Sequence, residues 1–529
     1  MFQFVKKHWR VLALCIIVSI LTALSAIAVQ FVKGTLLDEA LARNTTLAWR
    51  NGLYLFILIA VEISGYYAYD RLRGKFVAVS LETLRSQWMA SILRRSVPEF
   101  QRHPQGALLS TYTNKVESLK MLYFYNVPSV FEITFKALLV SISLLLLDYR
   151  IALLTLFLTT TPLYVPKLVE KQLQNSQERS AKTYEDHLTK VVDWLNGFEA
   201  IKNYSIERVI QNKFDVLGAQ VTQAHLYNQK MMFLSQTIST CLSYFSHFIV
   251  MVTAGWLVLR GEFSAGQFFV AVSMIDQLSW PILALSRMMQ DIVSVRPIQK
   301  EVEGFLAYQT PALAHSQPLL AARPDIDFSK VSYSFAEDKP LLRDLTFSLP
   351  HASKALLVGP NGSGKSTTVN LLLGYLEPQS GEVSLGGVPS GLISNIYDQV
   401  TLMRQEVFLF AGSLRENLSM FRDLPDAALI DVLRKVGLDK WADPLLLDMP
   451  ILEGGKNVSG GEKRRIVLAR SLLRQTPVLV LDEPFANLDE ESILLVEKQI
   501  NTIQDRTVLL ISHQVRPEML PSFNQVLQF

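Results

Sequence analysis

The stretch Gly359-Pro-Asn-Gly-Ser-Gly-Lys-Ser-Thr367 decides the fold of the C-terminal part of this 529-residue chain. It follows the apolar run 355–358 and precedes the helix-like segment 368–373, so it joins a strand to a helix. In that setting the glycines let backbone amides approach phosphates, Lys365 reaches the β- and γ-phosphates, and the Ser366 hydroxyl ligates magnesium. We therefore expect a nucleoside triphosphate site at Gly359, Pro360, Asn361, Gly362, Ser363, Gly364, Lys365, Ser366 and Thr367.

Two adjacent acids, Asp482 and Glu483, follow the apolar run Val478-Leu-Val-Leu481. Such a run predicts a buried strand, and ligands bind at the carboxyl ends of strands in parallel α/β sheets. We expect Asp482 to hold magnesium through water and Glu483 to polarise the attacking water as a general base. Together with the upstream loop, the pair indicates nucleotide chemistry rather than a surface turn.

The first 300 residues have the pattern of a membrane region. Over the whole chain 49% of residues are hydrophobic and 19% are charged, and the mean hydropathy of +0.23 is hard to accommodate within a water-soluble surface. Long apolar runs approach the ~20 residues that a helix needs to cross the hydrocarbon layer. We predict six transmembrane helices, at about 11–32, 52–69, 129–147, 150–168, 238–259 and 267–286.

Charge and cysteine content exclude other classes. The net charge of +3 is too nearly balanced for a nucleic-acid partner, which needs a clustered basic patch. Cys15 and Cys241 lie in apolar stretches and provide neither a disulfide framework nor a metal-ligand spacing.

The long polar stretches 70–128 and 169–237 are predicted to lie on the same side as the C-terminal part. An even number of crossings returns the chain to the basic, cytoplasmic side, where ATP is. Both stretches keep helical spacing, which predicts long cytoplasmic extensions of the membrane helices. Breaks at 100–106 and at Asn196-Gly197 predict either turns or short transverse helices. The basic N-terminus also resembles a signal peptide, but the run 11–32 is longer than a typical signal-peptide core.

The pattern changes after residue 300. Residues 301–324 contain Pro311, Pro318 and Pro324 and predict a linker. From 325 to 529, short β-rich runs alternate with helical segments, which predicts an α/β domain with a mostly parallel sheet. The expected fold is thus an all-α membrane domain over 1–300, followed by a linker and an α/β P-loop ATPase domain.

The segment Val458-Ser459-Gly460-Gly461-Glu462-Lys463 resembles the signature motif of the ATP-binding-cassette (ABC) family, with Glu462 where the family usually has glutamine. Ser459 and the glycine amides would open a helix and form an anion-binding nest suited to a γ-phosphate. Because this motif lies between the phosphate-binding loop and the paired acids, the chain is identified as a member of the ABC family.

Other family motifs match residue by residue. Gln405 resembles the glutamine that senses magnesium, and His513, after an apolar strand, resembles the switch histidine that contacts the γ-phosphate. Asp489 in Ala486-Asn-Leu-Asp489 resembles the D-loop aspartate. In Val331-Ser-Tyr333-Ser-Phe335, Phe335 takes the place of the ring that stacks on adenine, and Tyr333 is the alternative.

The resemblance implies an exporter-type half-transporter that uses ATP and Mg²⁺. It also implies a second half-transporter, identical or different, because Ser459 and Gly461 of one subunit would complete the ATP site built by Lys365, Ser366, Asp482 and Glu483 of the other. The expected location is the inner, or cytoplasmic, membrane of the cell, with the ATPase domain in the cytoplasm.

Ionisable residues in or near the apolar runs mark a possible cargo cavity. They are Glu62, Glu132, Lys136, His247 and Asp276. Glu132 and Lys136 are four residues apart, so they either neutralise each other on one helix face or line the cavity. A polar cavity favours export of a peptide or small amphipathic compound. A lipid or drug flippase, an importer of a metal chelate such as a siderophore, and an ATP-gated channel or signalling ATPase stay open.

Overall fold

A computed structural model describes residues 1–161, 165–308, 317–335, 340–513 and 515–529. The chain forms two compact units. The helical unit comprises Met1–Leu93 and Pro104–Tyr308, and the α/β unit comprises Arg94–His103 and Gln309–Phe529.

Up to Leu306 the described residues form helices with short connections. Its α-helices are α1 (Phe2–Lys7), α2 (Trp9–Leu41), α3 (Thr45–Leu93), α4 (Val97–Gln101), α5 (Gln105–Ser110), α6 (Val116–Leu119), α7 (Asn126–Leu147), α8 (Tyr149–Thr160), α9 (Val165–Asn196), α10 (Phe198–Asn203), α11 (Glu207–Leu259), α12 (Ala265–Ser294) and α13 (Arg296–Leu306). Two π-helical turns, Thr111–Lys115 and Lys120–Phe124, connect α5, α6 and α7. Asp148 separates α7 from α8 because its carboxylate accepts the amides of Arg150 and Ile151 and so caps the new helix.

Four helical segments in the described residues are long and apolar enough to cross a membrane. They are Trp9–Leu41, Thr45–Leu93, Gln105–Leu147 and Glu207–Leu259, and Tyr149–Thr160 is a shorter apolar helix. The predicted span 150–168 includes residues 162–164, which lie outside the described residues, and the predicted span 267–286 lies within α12. Six crossings therefore stay a prediction.

Helices α3 and α11 extend far beyond the predicted membrane spans. Helix α3 continues past residue 69 to Leu93, and α11 begins at Glu207, well before residue 238. The predicted all-α membrane domain with long helical extensions, followed by an α/β domain, is confirmed. Helix α13 runs into the predicted linker 301–324, of which residues 309–316 lie outside the described part of the chain.

Short helices flank both predicted breaks in the polar stretches. Helix α4 ends at Gln101, α5 begins at Gln105, and α10 follows Gly197. Ser96 caps α4 by accepting the Glu99 amide. The segment Arg94–His103, which contains α4, belongs to the α/β unit.

Helices α2 and α12 meet at two glycines. A Cβ on Gly266 would lie 2.2 Å from the carbonyl oxygen of Gly34. Asp38 of α2 accepts hydrogen bonds from the Ser264 hydroxyl (2.6 Å) and the Gly266 amide (2.7 Å). Because the first amides of a helix have no intrahelical partner, Asp38 caps α12 from a neighbouring helix. This contact therefore requires both the small residue and the carboxylate.

Two larger sheets and a short two-stranded ribbon form the α/β unit. The strands are β1 (Ile326–Ser334), β2 (Pro340–Leu349), β3 (Lys354–Val358), β4 (Ser380–Leu385), β5 (Val388–Pro389), β6 (Val400–Met403), β7 (Gly412–Ser413), β8 (Pro450–Ile451), β9 (Val478–Asp482), β10 (Thr507–Ile511) and β11 (Gln525–Gln528). The helices of this part are α14 (Lys365–Leu372), α15 (Ile396–Gln399), α16 (Leu414–Ser419), α17 (Asp426–Lys435), α18 (Gly460–Leu473) and α19 (Glu490–Thr502).

A parallel sheet forms the centre of the α/β unit, with strand order β11-β3-β10-β9-β6. Alternate residues of each central strand pack into different hydrophobic clusters: Leu479 and Leu481 into one, Val478 and Val480 into the other. Both faces are covered, which explains why these strands are continuous apolar runs. A separate antiparallel sheet has the order β2-β1-β4-β5. The carboxyl ends of β3, β10 and β9 consequently lie side by side.

Candidate nucleotide site

The predicted phosphate-binding loop connects β3 to α14. Lys365 is buried, and its ammonium donates hydrogen bonds to the carbonyl oxygens of Gly359 (2.8 Å) and Pro360 (2.9 Å). Gly364 has a φ of +109°, and a Cβ there would lie 2.6 Å from Leu342 Cδ2. Only glycine suits both this backbone conformation and this contact. The loop thus folds around its own lysine, while Ser366 lies exposed in the first turn of α14.

The paired acids and the histidine meet at the ends of β9 and β10. Asp482 is the last residue of β9, and Glu483 adopts a left-handed backbone with a φ of +54°. The Glu483 amide donates to the carbonyl of Ile511 (2.9 Å), and its Oε1 lies 3.4 Å from His513 Nε2. Left-handed backbone is costly for a non-glycine residue and is found preferentially at functional sites. Burial, followed by the adjacent Glu483 carboxylate, raises the pKa of Asp482.

Arg464 links these elements, and the sequence reasoning missed it. It is a buried residue of α18 whose guanidinium donates to the backbone carbonyls of Glu483 (2.5 Å) and Gln405 (2.9 Å). No sequence pattern marks this residue, because both of its partners are backbone carbonyls. Arg464 fixes the backbone of both predicted motifs, while Gln405 itself is exposed after β6.

The residues present fit a nucleotide and a hard metal ion. Among the described residues of this site, the buried atoms Ser363 Oγ and Glu483 Oε1 make no hydrogen bond, although His513 Nε2 lies 3.4 Å from the latter. Buried polar atoms are normally satisfied, so these two atoms suit a ligand that brings hydrogen-bonding groups. Ser366, Asp482 and Gln405 all offer oxygen atoms, the ligand type that Mg²⁺ prefers.

The two candidate aromatic residues differ in exposure. Phe335 is 72% exposed at the end of β1, whereas Tyr333 packs against the hydrophobic core of the α/β unit. Their rings are in edge-to-face contact at 5.1 Å. An exposed ring that is fixed by a neighbouring ring suits stacking on a base, so the geometry favours Phe335.

The predicted signature caps α18. The Ser459 hydroxyl accepts the Glu462 amide (3.3 Å), and Glu462 Oε2 accepts the Ser459 amide (2.8 Å) and hydroxyl (2.7 Å). These reciprocal bonds form a capping box. Glu462 also forms an ion pair with Lys440. Burial opposes ionisation of Glu462, but hydrogen bonds from Lys440 and Ser459 outweigh it and lower the pKa of this carboxyl to about 2.

Asp489 and the signature belong to one packed region. Asp489 is the N-cap residue of α19 and accepts a hydrogen bond from the Ser492 hydroxyl (2.6 Å), which lowers its pKa. A Cβ on Gly461 would lie 3.1 Å from the carbonyl oxygen of Asn487. Within the described residues, no hydrogen bond or ion pair joins Ser459 to Lys365, Asp482 or Glu483. One chain therefore brings together the loop, the acids and the histidine, but its hydrogen bonds do not connect the signature to them.

Comparison with known families agrees with this geometry. The family model of the ABC transporter transmembrane region matches residues 12–282, more than half of the chain, and the ABC transporter model matches residues 342–486. The chain belongs to the ABC transporter family. It is an exporter-type half-transporter, a multi-pass membrane protein whose nucleotide-binding ATPase domain is coupled to transport.

Relatives of known name align over most of their length with this ABC transporter. The ATP-dependent lipid A-core flippase of Photobacterium profundum is 25% identical over 87% of this chain and 80% of its own. The fatty acid ABC transporter ATP-binding/permease protein of Mycobacterium tuberculosis is 26% identical over 90% of this chain and 75% of its own. A bacterial Atm1-family ABC exporter with ATP bound has the same fold, with a TM-score of 0.80 and 16% identity over 96% of this chain and 91% of that one.

Polar residues of the membrane unit pair between helices. His247 Nδ1 of α11 lies 3.2 Å from Asp276 Oδ1 of α12. Lys136 of α7 lies 3.5 Å from the Tyr66 hydroxyl of α3 and, in the described structure, forms no ion pair with Glu132. Both alternatives for Glu132 and Lys136, neutralisation on one helix face or a place in the cavity lining, stay predictions. Glu62 and Glu132 are both half-buried.

Proposed function

We propose that this ABC transporter exports a small amphipathic compound or peptide, driven by ATP hydrolysis at the site of Lys365, Asp482, Glu483 and His513. The observation that carries the proposal is the pairing of Glu483 with His513, beside Asp482, at the carboxyl ends of neighbouring parallel strands. Such an arrangement suits activation of a water molecule against a bound triphosphate.

Each side chain of the site has a distinct proposed task. Lys365 exchanges the two loop carbonyls for phosphate oxygens, and Glu483 accepts the proton of the attacking water. His513 holds the Glu483 carboxylate and contacts the γ-phosphate. Mg²⁺ would be held by Ser366, Gln405 and Asp482, and it would there neutralise phosphate charge.

A second half-transporter completes the proposed site. Within one chain the signature residues Ser459, Gly460 and Gly461 make no hydrogen bond to the described acids or to Lys365. The first turn of α18 nevertheless offers amides suited to an anion. We therefore propose that Ser459 and the amides of one subunit bind the γ-phosphate held by the other. Asp489, beside the signature, would join in that contact.

The cargo proposal depends on the paired polar groups of the membrane unit. The pairs His247–Asp276 and Lys136–Tyr66 place ionisable groups on helices that also carry large exposed apolar faces. Ionisable groups within membrane helices usually face a cavity or a partner. A cargo with a polar part and an apolar part meets both kinds of surface, with Glu62 and Glu132 as further polar contacts.

A lipid flippase is the second candidate. Two relatives carry names that refer to lipid A-core and to fatty acid, and both cargoes are amphipathic. Lipid cargo and a small amphipathic compound differ in whether the substrate stays in the bilayer.

We place the transporter in the cytoplasmic membrane, with the membrane domain at 1–300, a linker at 301–324 and the ATPase domain at 325–529.

Transport into inside-out membrane vesicles tests the proposal. Vesicles that contain the wild-type protein should accumulate labelled peptide or amphipathic compounds when ATP is supplied, and Glu483→Gln should abolish both accumulation and ATP hydrolysis. Movement of a labelled lipid between leaflets, without accumulation in the lumen, would support the flippase instead. Passive flux that persists in Glu483→Gln vesicles would exclude pumping and indicate a channel.

A further inference from the structure

The signature motif of this chain carries a negative charge where ABC proteins usually have glutamine. Glu462 occupies the N3 position of α18, next to the amides that are proposed to bind a γ-phosphate. A carboxylate close to a triphosphate repels it, and this repulsion is strong where water is partly excluded. The chain therefore needs a feature that prevents Glu462 from weakening nucleotide binding.

Glu462 constrains Ser459 through the hydrogen bonds between them. An ionised carboxylate only accepts hydrogen bonds, so the single hydroxyl hydrogen of Ser459 points to Glu462 Oε2 (2.7 Å). The same oxygen accepts the Ser459 amide (2.8 Å). Ser459 can therefore donate to a phosphate only by releasing Glu462, which must then keep another partner.

Lys440 supplies that other partner. It lies in the single 3₁₀ turn Asp439–Trp441, far from α18 in sequence, and its ammonium bonds to Oε1, the oxygen that Ser459 does not use. The Glu462 side chain is only 13% exposed, whereas Lys440 is 62% exposed. The Lys440 ammonium also lies 4.9 Å from the centre of the Trp441 ring, which restricts its position. Lys440 thus binds the carboxylate independently of Ser459.

We propose that Lys440 is a positioning residue of the signature, which neutralises and orients Glu462 so that Ser459 is free to bind the γ-phosphate held by the partner subunit. This inference rests on the proposed dimeric ATP site. It explains how an acidic signature binds an anion: the positive charge comes from a separate segment of the chain and holds the far oxygen of the carboxylate. Nothing in the signature motif itself indicates Lys440.

Steady-state ATP hydrolysis by the full-length protein in lipid nanodiscs tests the role of Lys440. Lys440→Gln should raise the KM for ATP about tenfold, with a smaller change in kcat, because an unpaired carboxylate then faces the nucleotide. Lys440→Arg keeps the charge and should restore the KM to within about twofold of wild type. In a Glu462→Gln background, Lys440→Gln should change the KM by less than about twofold, since no charge remains to be neutralised.

Two results would overturn the proposal. One is an equal rise in KM for Lys440→Gln in both backgrounds, which would show that Lys440 acts independently of Glu462. The other is an equal loss in Lys440→Arg and Lys440→Gln, which would show that shape rather than charge matters. Lys435→Gln, which removes another exposed ion pair on α17, is the matched control and should leave the kinetics unchanged. ATP hydrolysis that survives Glu483→Gln would instead overturn the proposed function.

Discussion

In the ATPase unit every residue of β9 and β10 is buried. In membrane helix α3, by contrast, only 6% of the most apolar 18-residue segment is buried. The functional groups of the ATPase unit lie at the ends of these buried strands: Asp482 is the last residue of β9, and Glu483 follows it directly. The polar groups of the membrane unit lie within long helices and contact residues far away in sequence, as His247 and Asp276 do.

The difference shows two ways of holding a charged side chain. At the end of a buried strand the backbone fixes the position, and one neighbouring strand supplies the partner. Within a membrane helix the backbone N–H and C=O groups bond only to one another. The partner of a polar side chain is therefore set by the helix that lies beside it. Substitutions in the ATPase unit should therefore act on chemistry, and those in the membrane unit on helix packing and cargo.

The largest effect is expected for the lysine of the phosphate-binding loop. Lys365→Ala removes a buried cation that hydrogen bonds to two loop carbonyls and is proposed to bind phosphates. We expect the rate of ATP hydrolysis to fall by about 100-fold or more, which corresponds to a rise of about 2.7 kcal/mol in the activation free energy. Phosphate release by purified protein measures the loss, with the exposed Lys498→Ala of α19 as the control. Equal activity of the two variants would contradict the site.

A glycine pair provides the matching test in the membrane unit. Gly266→Ala places a Cβ 2.2 Å from the carbonyl oxygen of Gly34 and should destabilise the α2–α12 contact by about 1–3 kcal/mol. Gly304→Ala, also within a helix, meets nothing within 4 Å and should be neutral or stabilising by up to about 1 kcal/mol. Thermal unfolding in nanodiscs compares the two variants. A more stable Gly266→Ala protein would show that α2 and α12 do not meet in this way.

A smaller effect is expected at the exposed ring of β1. Phe335→Ala should raise the KM for ATP about tenfold through loss of stacking on the base, and Phe335→Tyr should retain the wild-type value. Tyr333→Ala, in contrast, should lower thermal stability because this ring packs against the core. Titration with a fluorescent ATP analogue separates the two effects. A normal KM for Phe335→Ala together with a raised KM for Tyr333→Ala would assign stacking to Tyr333.

The smallest effect is expected for the ion pair of the membrane unit. Asp276→Asn removes the charge that faces His247 and should change the ratio of cargo-stimulated to basal ATP hydrolysis by about fivefold. His225→Gln, on the same helix as His247, is the control. An unchanged ratio across several amphipathic cargoes would limit the pair to packing between α11 and α12.

Some of the site was predictable because its residues are close in sequence to strands that are themselves recognisable. The loop 359–367 follows β3, and the paired acids lie at the carboxyl end of β9, as the apolar runs indicated. Arg464 was not predicted because its partners are two backbone carbonyls, of Glu483 and Gln405, which no sequence pattern marks. Lys440 was not predicted either, because it is separated from the signature along the chain and no sequence pattern relates the two.

The sequence by itself determined the α/β class of the ATPase unit, the helical class of the membrane unit and the order of the nucleotide motifs. These features depend on periodicity and on short motifs, which act over a few residues. Only the tertiary structure decided that Glu462 pairs with Lys440, that Asp38 caps α12 and that the Lys136 ammonium contacts the Tyr66 hydroxyl. Such contacts join segments distant in sequence, and packing alone selects them.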